Sequence, residues 1–519
     1  MIATSPYPAP ERRLAITIVV MAASIMQILD TTIANVALPH MRATLGATQE
    51  QISWVITSYV VATAIAIPAT GFIESQIGRR NLFLLSLFGF IVASAACGLA
   101  GSLEMMVISR VLQGGFGAFI SPLGQAIIYD TYPVEERPKA MTIWGMGVMI
   151  APIIGPVLGG WLTDQISWRW VYFINIPIGI VTLTFAANLL DRSRIAKRAF
   201  DWMGYGLIAL GLAALQLALD RGTNQDWFSS TEIIFEAAIA VGALWMFGVH
   251  TATARNPLIP RRAFADRNMM VACSFAFICS GAMIGAATLV SLMVQGLMGY
   301  GTIDAGLVGL PRGLMMAATM FLTGRLSTYV DGRIFMGLGV VTVSIGFWLM
   351  SGFAIGMDRS LILLSGAVQG LGFGMIMLPM NLLGFATMPP QLRTEAAALY
   401  ALSRNMGTSV LISIATALIS YNVQISHSDQ AAHITNETVP ILNSGLFEQL
   451  GFQGRALLSA IDMSINAQAL MIAYIDVFWV LAWITLLILP ALFFAKKSVP
   501  APMTAPGRSS SDMTAGTVK

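Results

Sequence analysis

Charge is scarce in this 519-residue sequence: Asp, Glu, Lys and Arg make up 11% of it, against about a quarter in soluble domains. Histidine is scarce too. The four histidines, His40, His250, His427 and His433, are scattered, so no group with metal-ligand or nucleophile–base spacing forms, and no Gly-Lys-Ser/Thr loop for ATP phosphates occurs. Cysteine is limited to Cys97, Cys273 and Cys279, each inside an apolar segment and without paired spacing, which excludes a disulfide framework. With a net charge of only +3, nothing points to nucleic acid. The chain is not read as an enzyme, and no metal or cofactor is expected.

What is abundant is apolar length. Hydrophobic residues make up 56% of the sequence and the mean hydropathy is +0.74. Runs of about 18 or more apolar residues can cross a bilayer as helices, and such runs recur from end to end. We count about fourteen. The first, from Leu14, follows Arg12 and Arg13 and resembles a signal peptide's apolar stretch, but it continues through polar residues and is read as a retained first helix.

Basic residues orient the spans, because Lys and Arg in short loops stay on the cytoplasmic side. With the N-terminus inside, the outer loops hold only Arg42, Arg169, Arg221, Arg359 and Arg455. An even number of spans then puts both termini in the cytoplasm. Two Gly-led turns, Gly71 to Gly78-Arg79-Arg80 and Gly324 to Gly332-Arg333, echo one another and suggest a repeat of six-helix halves. The expected division is residues 1–200 as an N-terminal six-helix bundle, 201–268 as an inserted two-helix hairpin, and 269–498 as a C-terminal six-helix bundle. The last would carry a long external loop at 421–470, suited to docking a partner or serving as a solvated cap, and 499–519 would be a disordered tail.

An ionisable side chain inside a span is costly and marks a functional site. Asp30 is the foremost. At helical spacing Gln27, Asp30, Thr31 and Asn35 share one broad face, which suits a wet cavity. Arg110 in the fourth span lies at comparable depth, with Gln113 on nearly the same face, so Asp30 and Arg110 are expected either to meet and handle a proton or to form a static packing pair. The fifth span carries Gly147, Ala151, Gly155 and Gly159 at four-residue intervals, a smooth ridge broken by Pro152 and Pro156. In the second half the intramembrane charges are Asp304, Arg312, Arg404 and Asp476, all near span ends, where each can snorkel to the interface.

These motifs resemble the major facilitator superfamily, and within it the fourteen-helix drug:proton antiporters of the EmrB/QacA type. Leu29-Asp30-Thr31-Thr32 through Pro39 is similar to that branch's first-helix motif, Arg110 with Gln113-Gly114 to its fourth-helix motif, and Gly147 through Gly155-Pro156 to Gly159-Gly160 to its fifth-helix motif. Trp168-Arg169-Trp170 leading to Asn175-Ile-Pro177 resembles the opening of its sixth helix. The chain departs after the second span, with Ser75, preceded by Glu74, where the superfamily usually has an aspartate; Gly71, Gly78, Arg79 and Arg80 remain. The resemblance implies proton-driven efflux of lipophilic small molecules across a bacterial inner membrane, powered by the proton gradient. It assigns proton coupling to Asp30 and Arg110, and closure between the halves to the glycine and proline ridge. It also raises a periplasmic adaptor and an outer-membrane channel as candidate partners. An exporter of one defined solute, such as a siderophore, fatty acid or metabolite, is the alternative.

Overall fold

The computed structural model describes residues 7–191, 195, 199–327, 329–433 and 455–496. Fourteen helices among them are long and apolar enough to span a membrane. We number them α1 (Pro10–Leu45), α2 (Glu50–Ile77), α3 (Arg79–Leu99), α4 (Leu103–Thr131), α5 (Arg137–Gln165), α6 (Trp170–Leu189) and α7 (Trp202–Arg221). The second seven are α8 (Thr231–Thr253), α9 (Arg267–Gly296), α10 (Asp304–Leu326), α11 (Gly332–Met350), α12 (Arg359–Ala386), α13 (Pro390–Ala432) and α14 (Ser459–Phe494). No strand occurs among the described residues. This is the all-α membrane architecture expected from the apolar runs. Within a bilayer the helix is the way a single segment satisfies its own backbone hydrogen bonds.

Short polar signals delimit the helices. Thr48 and Gln51 form a reciprocal capping box at the start of α2, and side chains of Ser102, Asp201, Asp266, Asp331 and Asp358 cap α4, α7, α9, α11 and α12. Between α2 and α3 the chain turns at Gly78 with φ of 84°, a conformation that a side chain would strain. Large apolar residues such as Phe88, Trp245 and Trp483 point outward, as lipid-facing residues do.

Helices α1–α6 pack on one another, as do α9–α14, and α7 lies in the seam between them with α8 packed on its outer side. Ser413 of α13 donates to the carbonyl of Leu219 in α7 at 2.5 Å, while α7 also lies along α2. The ends bearing the termini form one face, called the terminal face below. There the two bundles are joined. Tyr129 of α4 donates to the carbonyl of Asn381 in α12 at 3.0 Å, and its ring stacks on Phe385 with centroids 4.6 Å apart.

The long external loop expected at 421–470 is in good part helix. α13 continues to Ala432, and a helix is already formed from Arg455. Asn422 donates to Asp476 at 3.0 Å, and His427 lies 3.1 Å from Asp462, so polar pairs tie the two helices together. Hydropathy ends where lipid ends, but helical hydrogen bonding does not, which is why the apolar run understated both helices. The middle of this stretch, with Glu437 and Glu448, and the tail 499–519 lie outside the described residues.

Candidate functional site

Asp30 and Arg110 meet at the centre of the N-terminal bundle, and both side chains are fully buried. Arg110 Nη1 donates to Asp30 Oδ2 at 2.6 Å. The other carboxylate oxygen, Oδ1, accepts from Gln113 Nε2 at 2.8 Å and from Asn175 Nδ2 at 2.7 Å. Gln113 also accepts from Arg110 Nη1 at 2.7 Å and donates to Ser94 Oγ at 2.7 Å. One carboxylate is thus held by donors from α4 and α6, backed by a hydroxyl from α3.

The guanidinium is held just as closely. Its Nε donates to the carbonyl of Val55 in α2 at 3.0 Å, and it lies over the Tyr59 ring, 4.2 Å from the centroid, with Tyr172 at 5.6 Å. Aromatic faces stabilise a desolvated cation. Arg110 Nη2, Asn175 Oδ1 and the Tyr59 hydroxyl have no hydrogen-bond partner among the described residues. A buried pair of this kind is worth little to stability as a pair, but removing either partner strands a charge, at a cost of about 3–5 kcal/mol.

The remaining residues expected to line a cavity divide. Gln27 accepts from Ser121 Oγ of α4 at 2.8 Å, linking α1 and α4 next to the buried pair. Thr31 donates to the carbonyl of Ile28, and Asn35 donates to the carbonyl of Thr31 and is exposed, so both are satisfied by their own helix. The structure adds Asn175, Ser94 and Tyr59 to the site.

The glycine ridge of α5 faces α1, within its own bundle. A Cβ on Gly155 would stand 2.1 Å from Thr32 Oγ1, one on Gly147 1.9 Å from Met21 Sδ, and one on Gly159 2.9 Å from Ile33 Cγ2. Pro156 lies inside the same helical stretch and is half-buried. The face of α5 turned toward the other half is Thr142, Gly145 and Val157, opposite Gly324, Met320 and Gly306 of α10.

At the terminal face, Arg79 Nε donates to Glu74 at 2.9 Å and Nη2 to Thr394 Oγ1 of α13 at 3.0 Å. Asp130 at the end of α4 accepts from both Arg79 and Arg393, one arginine from each half. A charge lock therefore exists without an aspartate at position 75. Gly71 faces Glu395, whose Cγ lies 2.7 Å from where a Cβ would stand, and Arg80 donates to the carbonyl of Ala187 at 2.6 Å.

In the second half, Asp304 stands 3.9 Å from Arg359 and Asp476 accepts from Asn422. The Arg312 and Arg404 side chains have neither a hydrogen bond nor an ion pair among the described residues, and each is half-buried. Arg404 lies one turn outward from Tyr400, which packs on Phe385 in the seal between the bundles.

A bundle pair with a buried carboxylate–guanidinium centre on one side and a polar latch between the halves defines a membrane transporter fold, and residues 20–412 match the Major Facilitator Superfamily, to which this chain belongs. Over 486 residues it is 35% identical to the multidrug export protein EmrB of Haemophilus influenzae, covering 93% of this chain and 95% of that one. It is 32% identical to the fatty acid resistance protein FarB of Neisseria gonorrhoeae over 474 residues, 91% of this chain and 94% of that one. Among solved structures, the proton:xylose symporter XylE bound to 6-bromo-6-deoxy-D-glucose superposes with a TM-score of 0.61 at 12% identity, covering 94% of this chain and 97% of that chain. The protein is thus a multi-pass protein of the bacterial inner membrane.

Proposed function

We propose that this chain is a transporter rather than an enzyme, exporting amphipathic and lipophilic compounds in exchange for protons by alternating access between its two bundles. The observation that carries this reading is the buried Asp30–Arg110 pair. Proton uptake at Asp30 competes with Arg110 for Oδ2, so loading a proton releases the guanidinium and its contacts with α2. Coupling requires that proton and substrate favour different arrangements of the bundles. The latch of Arg79, Asp130 and Arg393 supports a cycle in which the terminal face opens and reseals. No cofactor takes part; the proton gradient supplies the drive. With both termini cytoplasmic, as the loop charges indicate, the sealed face is the cytoplasmic one, and the helical extensions of α13 and α14 would reach toward a periplasmic adaptor leading to an outer-membrane channel.

The test is proton release from energised inverted vesicles on adding a lipophilic compound, comparing wild type with Asp30→Asn. Release in wild type alone supports antiport through Asp30. Equal release in both moves the coupling to another carboxylate, and none in either, with expression verified, rejects antiport.

A second reading narrows the substrates to amphipathic acids. Arg312 and Arg404 are cations without carboxylate partners in the half opposite the buried pair, and the relative FarB is named for fatty acid resistance. Transport of a long-chain carboxylate against its neutral amide, in wild type and Arg404→Gln, separates the two readings: loss of the acid alone favours it.

A further inference from the structure

The α7–α8 hairpin carries a feature unrelated to the proton site. Just beyond α8, the chain from Ala254 to Asp266 folds over the end of the hairpin and helps line a half-open cavity of about 500 Å³ at the terminal face. Arg255, Arg261 and Arg262 line it, with Asn256, Asp201 and Phe72. A second cavity of about 460 Å³ adjoins it, walled by Phe247, Gly248, Ala252 and Phe264, and Arg261 belongs to both.

Among the described residues nothing compensates the charge in the first cavity. Its one carboxylate, Asp201, accepts from the amides of Gly204 and Leu258 at 2.9 and 3.0 Å and stands 2.8 Å from His250 Nε2, so its oxygens are committed elsewhere. Arg261 is anchored by donating Nε to the carbonyl of Thr251 and Nη2 to that of Ala254, at the end of α8. Arg255 and Arg262 are exposed and have no side-chain partner among the described residues. The second cavity has the opposite chemistry. It lies along α8, where Trp245 and Val249 face outward, and Gly248 has no atom within 4 Å of where its Cβ would be.

We infer that an anionic phospholipid seats here, its phosphate among Arg255, Arg261 and Arg262 and an acyl chain in the slot beside Gly248. Basic pockets at the membrane surface favour acidic headgroups by about 1 kcal/mol per Lys or Arg, and an apolar slot joined to the basic cavity through one arginine suits an amphiphile better than a soluble anion. Because α7 touches both bundles, the lipid would hold the hairpin in the seam.

The experiment measures retention of phosphatidylglycerol and phosphatidylethanolamine by the purified full chain in detergent, by native mass spectrometry, with inorganic phosphate as competitor. Wild type should hold phosphatidylglycerol in preference, and millimolar phosphate should not displace it. Arg255→Gln with Arg262→Gln should weaken phosphatidylglycerol roughly thirtyfold, as expected for two basic residues. Gly248→Trp, whose Cβ meets no atom within 4 Å, puts an indole into the slot and should displace the lipid while leaving the arginines intact, which keeps the test decisive if the double variant misfolds. Unchanged phosphatidylglycerol in Gly248→Trp, or equal retention of both lipids by wild type, overturns the inference. Displacement by phosphate alone would make this a soluble-anion site instead.

Discussion

The two halves of this molecule share a framework and differ in what they bury. The same sequence offset separates Gly71 from Gly324 and Tyr59 from Arg312. Gly71 of α2 meets Glu395 of α13, and Gly324 of α10 meets Thr142 of α5, so each leading glycine sits where its helix crosses one from the opposite half. The crossings inside the halves match as well. A Cβ on Gly114 of α4 would lie 2.4 Å from the carbonyl oxygen of Tyr59, and one on Gly370 of α12 would lie 2.2 Å from that of Arg312. At the first crossing the guanidinium comes from α4 and covers a tyrosine; at the second it comes from the helix that carries the tyrosine in the first. Helix α9, which corresponds in order to α1, contains no Asp or Glu from Arg267 to Gly296. The repeat supplied the backbone twice, and the carboxylate only once. In the proposed mechanism the proton site therefore belongs to the first half, while Arg312 and Arg404 lie in the second.

The sharpest way to break this contrast is to remove each arginine in turn. Arg110→Met should abolish coupled transport and lower stability by about 3–5 kcal/mol, because Asp30 is left charged and buried. Arg312→Met should change stability by about 1 kcal/mol or less, since it strands nothing. Thermal unfolding in detergent compares them, and equal losses would mean that the halves are energetically alike. Next in size, Gly114→Val and Gly370→Val should each cost about 1–3 kcal/mol by forcing a helix pair apart. Closely matched melting shifts would support the shared framework, whereas a large shift in one half alone would restrict it to sequence resemblance. A smaller effect is expected for Asp130→Asn, whose partly exposed ion pairs contribute about 1 kcal/mol or less. Cysteine pairs across α4 and α13 at the terminal face should cross-link more slowly in that variant, with the Asp30 network untouched.

An effect of similar size concerns the hairpin, which belongs to neither half. Burial works against the charge on Asp201, yet hydrogen bonds from Gly204, His250 and Leu258 hold its carboxyl below the ordinary range. A depressed acid contributes stability above its unfolded value of about 3.9 and loses it as the pH falls through the lower folded value. Asp201→Asn should therefore cost about 1 kcal/mol near neutrality, in line with the loss of a helix cap, and the difference from wild type should shrink only in acid, as read by unfolding across a pH series.

Much of this was legible in the sequence. Apolar length fixed the spans, since lipid leaves the backbone no alternative, and intramembrane charge singled out Asp30 and Arg110. Gln113 followed from helical spacing. Asn175 did not, because a lone polar residue near the start of an apolar span has no periodic partner, and the carboxylate it serves lies 145 residues away. Ser94 is equally silent, a small hydroxyl in an apolar helix. The latch was obscured by Ser75: the acids that hold Arg79, Glu74 and Asp130, lie one residue before that position and at the end of another helix. The direction of the α5 ridge was also beyond reach, since a stripe of glycines states how closely a neighbour approaches and not which neighbour it is.

The continuation of α13 past the bundle has a mechanical side. Its 43 residues make a rod about 64 Å long, fixed near one end where Glu395 lies against Gly71 and Arg393 holds Asp130. A rotation of about 10° at that fulcrum, small enough to be absorbed by sliding side chains, carries the far tip through roughly 11 Å given a helical rise of about 1.5 Å per residue. Paired to α14 through Asn422 and His427, the rod resists bending, so a slight movement at the sealed face arrives at the other as a wide stroke.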